Sequence, residues 1–165
     1  MSDFTPVCDL CDRFKDQSDG AFRVLPPVFR PFAGAARFSG LVSTVRCFED
    51  NTLVKSALDS PGQGRVLVVD GGASLRRALV GGNLGAAAAR NGWAGLLVNG
   101  CVRDSAELRV LPIGILALAA MPMPPRKEGQ GARDVDVLLQ GVWIRPGDWL
   151  AADEDGVVIH TQALV

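Results

Sequence analysis

The spacing of apolar residues changes period several times along the chain, and each change marks an element. In TPVCDLCDRF, Val7, Leu10, Cys11 and Phe14 recur at helical intervals behind Thr5 and Pro6. This spacing predicts a short amphipathic helix with Thr5 as N-cap and Pro6 at its first position. After a turn at Asp19–Gly20, RVLPPVFRPFAG carries Pro26, Pro27 and Pro31 and reads as extended chain with edge character. RFSGLVSTVRCF alternates as strand, with a break at Gly40. In EDNTLVKSALDS, Leu53, Val54, Ala57 and Leu58 share a helical face behind Asn51 as N-cap.

The central pattern is stronger. PGQGRVLVVDGG joins a Gly/Pro turn, a valine-rich run and Asp-Gly-Gly, which predicts a buried strand. SLRRALVGGNLGAAAARNG then reads as helix interrupted at Gly81–Gly82, and AGLLVNG as a second buried strand. DSAELRVL predicts a short helix, and LPIGILALAAMPMPP a third apolar strand that ends at proline. From GARDVDVLLQ onward the period falls to two, with turns at Gln140–Gly141, Pro146–Gly147 and Asp155–Gly156, so antiparallel hairpins are expected. The whole predicts an α/β fold with a mixed or two-layer sheet, in one domain over 1–165.

Composition narrows the function classes. With 48% hydrophobic and 21% charged residues, a packed core is expected. Net charge is −1, and Lys and Arg are interspersed with acids from Arg13 to Arg145. Without a basic stripe, direct nucleic-acid contact is not expected. No run approaches the roughly 18 apolar residues that span a bilayer, so no membrane role is expected. MSDFTPVCDLCDRF has acids and no apolar core, so no signal peptide is expected and cytoplasm is the default location. Cys8 and Cys11 form a C-x-x-C that invites a zinc or redox reading. Against it, Cys47 and Cys101 are scattered, His160 is the only histidine, and the motif does not follow the first strand of a βαβ unit. Reduced, mostly buried thiols are expected.

Ligands of parallel α/β sheets sit beyond the carboxyl ends of the strands. Three stretches qualify: DGGAS at 70–74, GGN at 81–83 and NGCVRD at 99–104. The first is not G-x-G-x-x-G, and Asn99 stands where a dinucleotide site would place an acid, so a tight turn explains it. Gly81, Gly82, Asn83 and Leu84 mark a helix start whose free N–H groups suit a carboxylate, or else a kink or a close packing contact. Arg103 offers a fork for a carboxylate, and Asp104 an oxygen ligand for Mg²⁺ or Mn²⁺. A surface ion pair, with Asp104 capping a helix from Ser105, accounts for the same two residues equally well.

Five blocks, VRCFEDNTLVK, RVLVVDGGASLRRALVGGNL, NGWAGLLVNGCVRD, LPIGILAL and RPGDWLAADEDGVVI, resemble in order those of the RraA-like family. That family groups regulators of ribonuclease activity A with 4-hydroxy-4-methyl-2-oxoglutarate aldolases. The resemblance implies a single α/β/β layered domain similar to the swivelling phosphohistidine domain, assembled as a homotrimer. It implies a class II aldolase that uses a divalent metal cation to release pyruvate and also decarboxylates oxaloacetate, since both reactions share a pyruvate enolate. By position, Arg103 would bind the 2-oxo acid, Asp104 would anchor the metal, and Gly81, Gly82, Asn83 and Leu84 would bind substrate through backbone N–H groups. A metal-associated water would serve as general base.

One departure stands out. Many aldolase members carry an acid 21 positions before the arginine, in a GDN sequence, whereas this chain has Gly82 in GGN. A lost acid–base group costs about 10²–10⁴-fold in rate. Asp104, however, is kept, and ribonuclease-regulating members can lack that carboxylate. The alternative is therefore a non-catalytic inhibitor of an RNase E-type ribonuclease, acting through protein contacts. A third role carried by family members, a menaquinone-pathway methyltransferase, has only the DGG turn in its favour.

Overall fold

The computed structural model describes residues 4–164. It contains four helices, α1 (Val7–Phe14), α2 (Thr52–Leu58), α3 (Gly82–Arg90) and α4 (Ser105–Leu108). Its strands are β1 (Phe22–Val24), β2 (Arg30–Pro31), β3 (Phe38–Arg46), β4 (Val66–Asp70), β5 (Ala78–Val80) and β6 (Gly95–Val102). They continue with β7 (Gly114–Ala120), β8 (Ala132–Arg133), β9 (Val137–Leu139), β10 (Val142–Ile144), β11 (Trp149–Asp153) and β12 (Gly156–His160). The main path through the large sheet is β1-β12-β11-β3-β4-β6-β7-β2, with β5 added to β6 and β8 to β3.

β3, β4, β6 and β7 run parallel and form the middle layer. Because successive side chains of a strand point to opposite faces, β4 splits its run between two cores. Leu67 and Val69 meet α2 and α3 with Val54, Leu58 and Ala88, while Val66 and Val68 meet Leu150, Ala152 and Ile159 of the antiparallel strands. α1 closes the far side, with Val7 and Leu10 against Trp149, Ala151 and Val158. The α/β/β layering implied by the family resemblance is present, with α1 packed outside the second sheet. The proline-rich stretch forms β1 and β2, the two ends of the sheet path, as its edge character predicts.

Several local expectations change. Gly40 does not break β3; it lies within one strand whose residues 38–41 pair with β11 and whose residues 42–46 pair with β4. A Cβ at Gly40 would collide with the Gly64 carbonyl, so close backbone approach requires the glycine. SLRRALV is not helical. Ala78–Val80 are buried on every side as β5, parallel to the end of β6, and this burial overrides the helical preference of the sequence. α1 begins at Val7 with Pro6 in the N-cap position, one residue later than expected, and the Val7 N–H donates to Asp153 Oδ2 at 2.9 Å. Asn51 occupies the N-cap position of α2 without capping it by its side chain. Pro146–Gly147 joins two different sheets and makes no hairpin, whereas β9–β10 and β11–β12 are hairpins. The thiols are free, but only Cys47 and Cys101 are buried; Cys8 is exposed.

Candidate functional site

The site is built by a change of partner in β6. From Gly95 to Asn99 this strand is flanked by β4 and β7; its register against β7 then shifts, and β5 takes over beside Cys101 and Val102. β6 therefore continues past the sheet edge and delivers Arg103 beside the end of β5, with the Arg103 N–H donating to the Val80 carbonyl at 2.9 Å. β5 ends at Val80, Gly81 is extended, and α3 begins at Gly82. Two parallel strand ends thus place residues 81–84 against residues 103–104.

Gly81 and Gly82 leave room for that approach. A Cβ at Gly81 would lie 2.8 Å from Asp104 Oδ2 and 3.1 Å from Arg103 Cγ, and one at Gly82 would collide with Glu107 Oε2. The Gly82 N–H donates to Asp104 Oδ2 at 2.9 Å. Asp104 thus satisfies an orphan donor of α3; it does not cap α4, where it makes no side-chain cap bond and adopts the left-handed region at φ 56°. Arg103 Nε and Asp104 Oδ1 are 3.8 Å apart, both more than a third exposed, so this contact adds little to stability. Both groups stay accessible to a ligand. Asn83 and Leu84 lie in the first turn of α3, where backbone N–H groups have no acceptor within the helix.

These residues line a cleft of about 260 Å³ together with Asn51 and Lys55 of α2 and its approach, and Pro124, Pro125 and Lys127 of the segment after β7. Arg103 and Lys127 line it against the single lining carboxylate of Asp104, while the Lys55 ammonium pairs with Asp59, so the cleft favours an anion. Asn51 Nδ2 donates to the Leu79 carbonyl at 3.0 Å and ties α2 to β5. All six residues expected at the site, 81–84, 103 and 104, are brought together. Sequence reasoning missed Glu107, Lys55 and Lys127. Glu107 stands three residues after Asp104 in the first turn of α4, where an acid is ordinary, and the two lysines come from distant segments, so none of the three had a signal. His160 lies far from these strand ends, stacked near Phe14 on the outer side of the second sheet.

A divalent cation would find oxygen donors in Asp104 and Glu107, which both close on Gly82. Among the described residues, no group of three or more His, Cys, Asp or Glu side chains converges. Water must complete such a shell, which suits Mg²⁺, an ion that keeps several waters. The donor set fits the group.

The α/β fold thus gathers a parallel sheet edge, a helix N-terminus, an arginine fork and two accessible carboxylates in one place. The chain belongs to the RraA-like family, whose model, described as Aldolase/RraA, matches residues 7–159. It is 60% identical to a protein of Albidiferax ferrireducens provisionally named 4-hydroxy-4-methyl-2-oxoglutarate aldolase, with 96% of each chain covered. A Burkholderia multivorans protein with the same provisional name is 58% identical over 94% of this chain and 96% of its own. Among solved structures, the RNA-processing inhibitor RraA from Thermus thermophilis superposes with a TM-score of 0.92 at 48% identity, covering 98% and 96% of the two chains. A Geobacillus kaustophilus structure named S-adenosylmethionine:2-dimethylmenaquinone methyltransferase gives 0.90 at 44% identity, covering 97% of each. No helix among the described residues is long and apolar enough to cross a membrane.

Proposed function

We propose that the chain is a divalent-metal-dependent lyase that cleaves 4-hydroxy-4-methyl-2-oxoglutarate to pyruvate and decarboxylates oxaloacetate. The observation that carries this reading is the crowding of Asp104 and Glu107 onto Gly82. The carboxylate absent from position 82 is replaced by one that enters the same space from α4. Arg103 and the N–H groups of Asn83 and Leu84 hold the substrate carboxylate, the first by a charged fork and the others by the positive end of α3. Asp104 and Glu107 would hold the cation, which when bound polarises the 2-oxo group as a Lewis acid. Arg103 also opposes the negative charge that grows on the substrate as the carbon–carbon bond breaks. Asp104 keeps its place because the Gly82 N–H fixes one of its oxygens, leaving the other for the cation.

The test is pyruvate release from oxaloacetate with Mg²⁺ or Mn²⁺, corrected for the metal-only rate. EDTA and Asp104→Ala should each abolish the enzyme-dependent part. A rate indifferent to both changes overturns the assignment. A second reading, inhibition of an RNase E-type ribonuclease by protein contact, draws on the likeness to the Thermus inhibitor. A ribonuclease assay with micromolar protein decides it, and unimpaired cleavage removes it.

A further inference from the structure

The cleft contains one cation that binding a simple 2-oxo acid does not require. Lys55 lines it, but its Nζ is drawn 2.5 Å from Asp59 Oδ2 on the same helix. Lys127 lines it as well, and among the described residues no carboxylate pairs with its ammonium. The segment that carries Lys127 is held on both sides. Its Met123 carbonyl accepts the Ala78 N–H at 2.9 Å, and its Pro124 carbonyl accepts from Arg77 Nη1 at 2.9 Å. The Arg126 carbonyl accepts the Asn51 N–H at 3.2 Å, and the Arg126 N–H donates to the Glu49 carbonyl at 2.8 Å. The Glu128 N–H donates to Asp50 Oδ2 at 2.6 Å, and Asp50 is 2% exposed. A buried carboxylate and two prolines therefore present Lys127 from a fixed backbone, which reduces the entropy lost when its ammonium engages a ligand.

We infer that Lys127 is a specificity-determining residue that receives the second carboxylate of a dicarboxylic 2-oxo acid, while Arg103 and α3 hold the first. The inference rests on reading the cleft as a 2-oxo acid site. The volume, about 260 Å³, is that of roughly eight waters and leaves room for a second carboxylate arm. Asp50 is the positioning residue behind Lys127, since its carboxylate fixes the backbone on the far side of the lysine.

Calorimetry with the full chain and saturating Mg²⁺ tests this, using pyruvate and 2-oxoglutarate as probes. The second is a dicarboxylate that offers no bond for retro-aldol or β-decarboxylation chemistry. The wild-type protein should bind 2-oxoglutarate about tenfold more tightly than pyruvate, the scale of one charge-assisted hydrogen bond. Lys127→Gln should collapse that preference to about twofold or less. Lys127→Arg should retain most of it. Equal affinities in the wild type, or a preference unchanged in Lys127→Gln, overturns the inference while leaving a pyruvate-releasing enzyme intact. Failure to bind either probe also overturns it, and the oxaloacetate assay then shows whether the 2-oxo acid reading falls with it.

Discussion

The carboxylates of the second sheet and those at the parallel sheet edge live under opposite conditions. Asp153, at the end of β11, is buried and fully used: Oδ2 accepts the Val7 N–H that starts α1, and Oδ1 accepts the Asp155 N–H inside the hairpin, both at 2.9 Å. Asp148 is likewise buried, accepting the Arg145 N–H at 2.8 Å and lying 3.1 Å from Arg23. At the cleft, Asp104 is exposed and has one backbone donor, and Glu107 is exposed beside it. The first pair fastens a helix and a turn to a sheet. The second keeps oxygen atoms open, at the place where two strand ends and a helix start crowd together. Acidic residues thus divide by what surrounds them, and open oxygen atoms rather than burial set apart the pair proposed to hold the cation.

Substitution should separate the two groups most sharply at Asp104 and Asp153. Asp104→Ala should lower enzyme-dependent pyruvate release by at least ~10²-fold, with a melting temperature close to that of the wild type. Asp153→Ala should do the reverse. The buried Val7 N–H and the half-buried Asp155 N–H would lose their acceptor, for a cost of about 2 kcal/mol and a fall in melting temperature of roughly 4–8 °C. Rate per folded molecule should hold. Parallel thermal melts and pyruvate assays of the two variants check this, and an Asp104 variant that melts early while turning over normally would erase the distinction.

A carboxylate exchange across Gly82 sharpens the same contrast. Glu107→Ala should cost about 10²-fold in rate, because no other carboxylate fills its place. Gly82→Asp alone should also lose activity, since its side chain would push the flexible Glu107 carboxylate out of the space they would share. Combined, Gly82→Asp with Glu107→Ala should recover at least tenfold over the Glu107 variant. Strict additivity of the two losses would show that the carboxylates do not share a space.

How far the sequence could reach follows from the same geometry. Val66–Val69 and Gly95–Val98 were legible as strands because both their faces are buried, which turns alternation into a continuous apolar run. Arg103 and Asp104 were legible because they end such a run. Ala78–Val80 was not, since three residues are too few to show a period and their partners on β6, Cys101 and Val102, lie far along the chain. Glu107 was hidden by the short helix it belongs to, where an exposed acid in the first turn is ordinary. Lys127 owes its place to Asp50, a contact across 78 residues that no local pattern announces.

Asp50 is a buried carboxylate that serves the cleft from behind, and its removal should have an intermediate effect. Burial alone would push its carboxyl up, but the backbone N–H groups of Thr52, Glu128 and Gln130 together hold it below its ordinary value. Its folded-state pKa is thus lower than the unfolded one, near 3.9. The stabilisation is fully present above that pH and is lost as pH falls through the lowered folded value. Asp50→Ala should cost about 2 kcal/mol. It should also flatten the acid limb of the stability curve below about pH 4, which urea titrations across pH would show. A limb as steep as that of the wild type would place the acid sensitivity elsewhere.

The smallest effect falls on the outer side of the second sheet, where Asp155 faces a thiol. Cys8 is exposed, and its Sγ lies 3.6 Å from Asp155 Oδ2. The negative charge and the hydrogen bond of Asp155 raise its pKa. Cys47 is pushed up to about 12, first by burial and then by Asp50 and Asp70. A thiol reagent at pH 8 should therefore modify Cys8 first and reach Cys47 only on unfolding, because the thiolate is the reacting form. Asp155→Asn removes the repelling charge, lowers the Cys8 pKa and should speed that first modification by a few fold. Cys8→Ser should abolish the fast phase, and a fast phase that survives would assign it to Cys11. Pyruvate release should respond to neither change, as the two carboxylate environments occupy different layers of the fold.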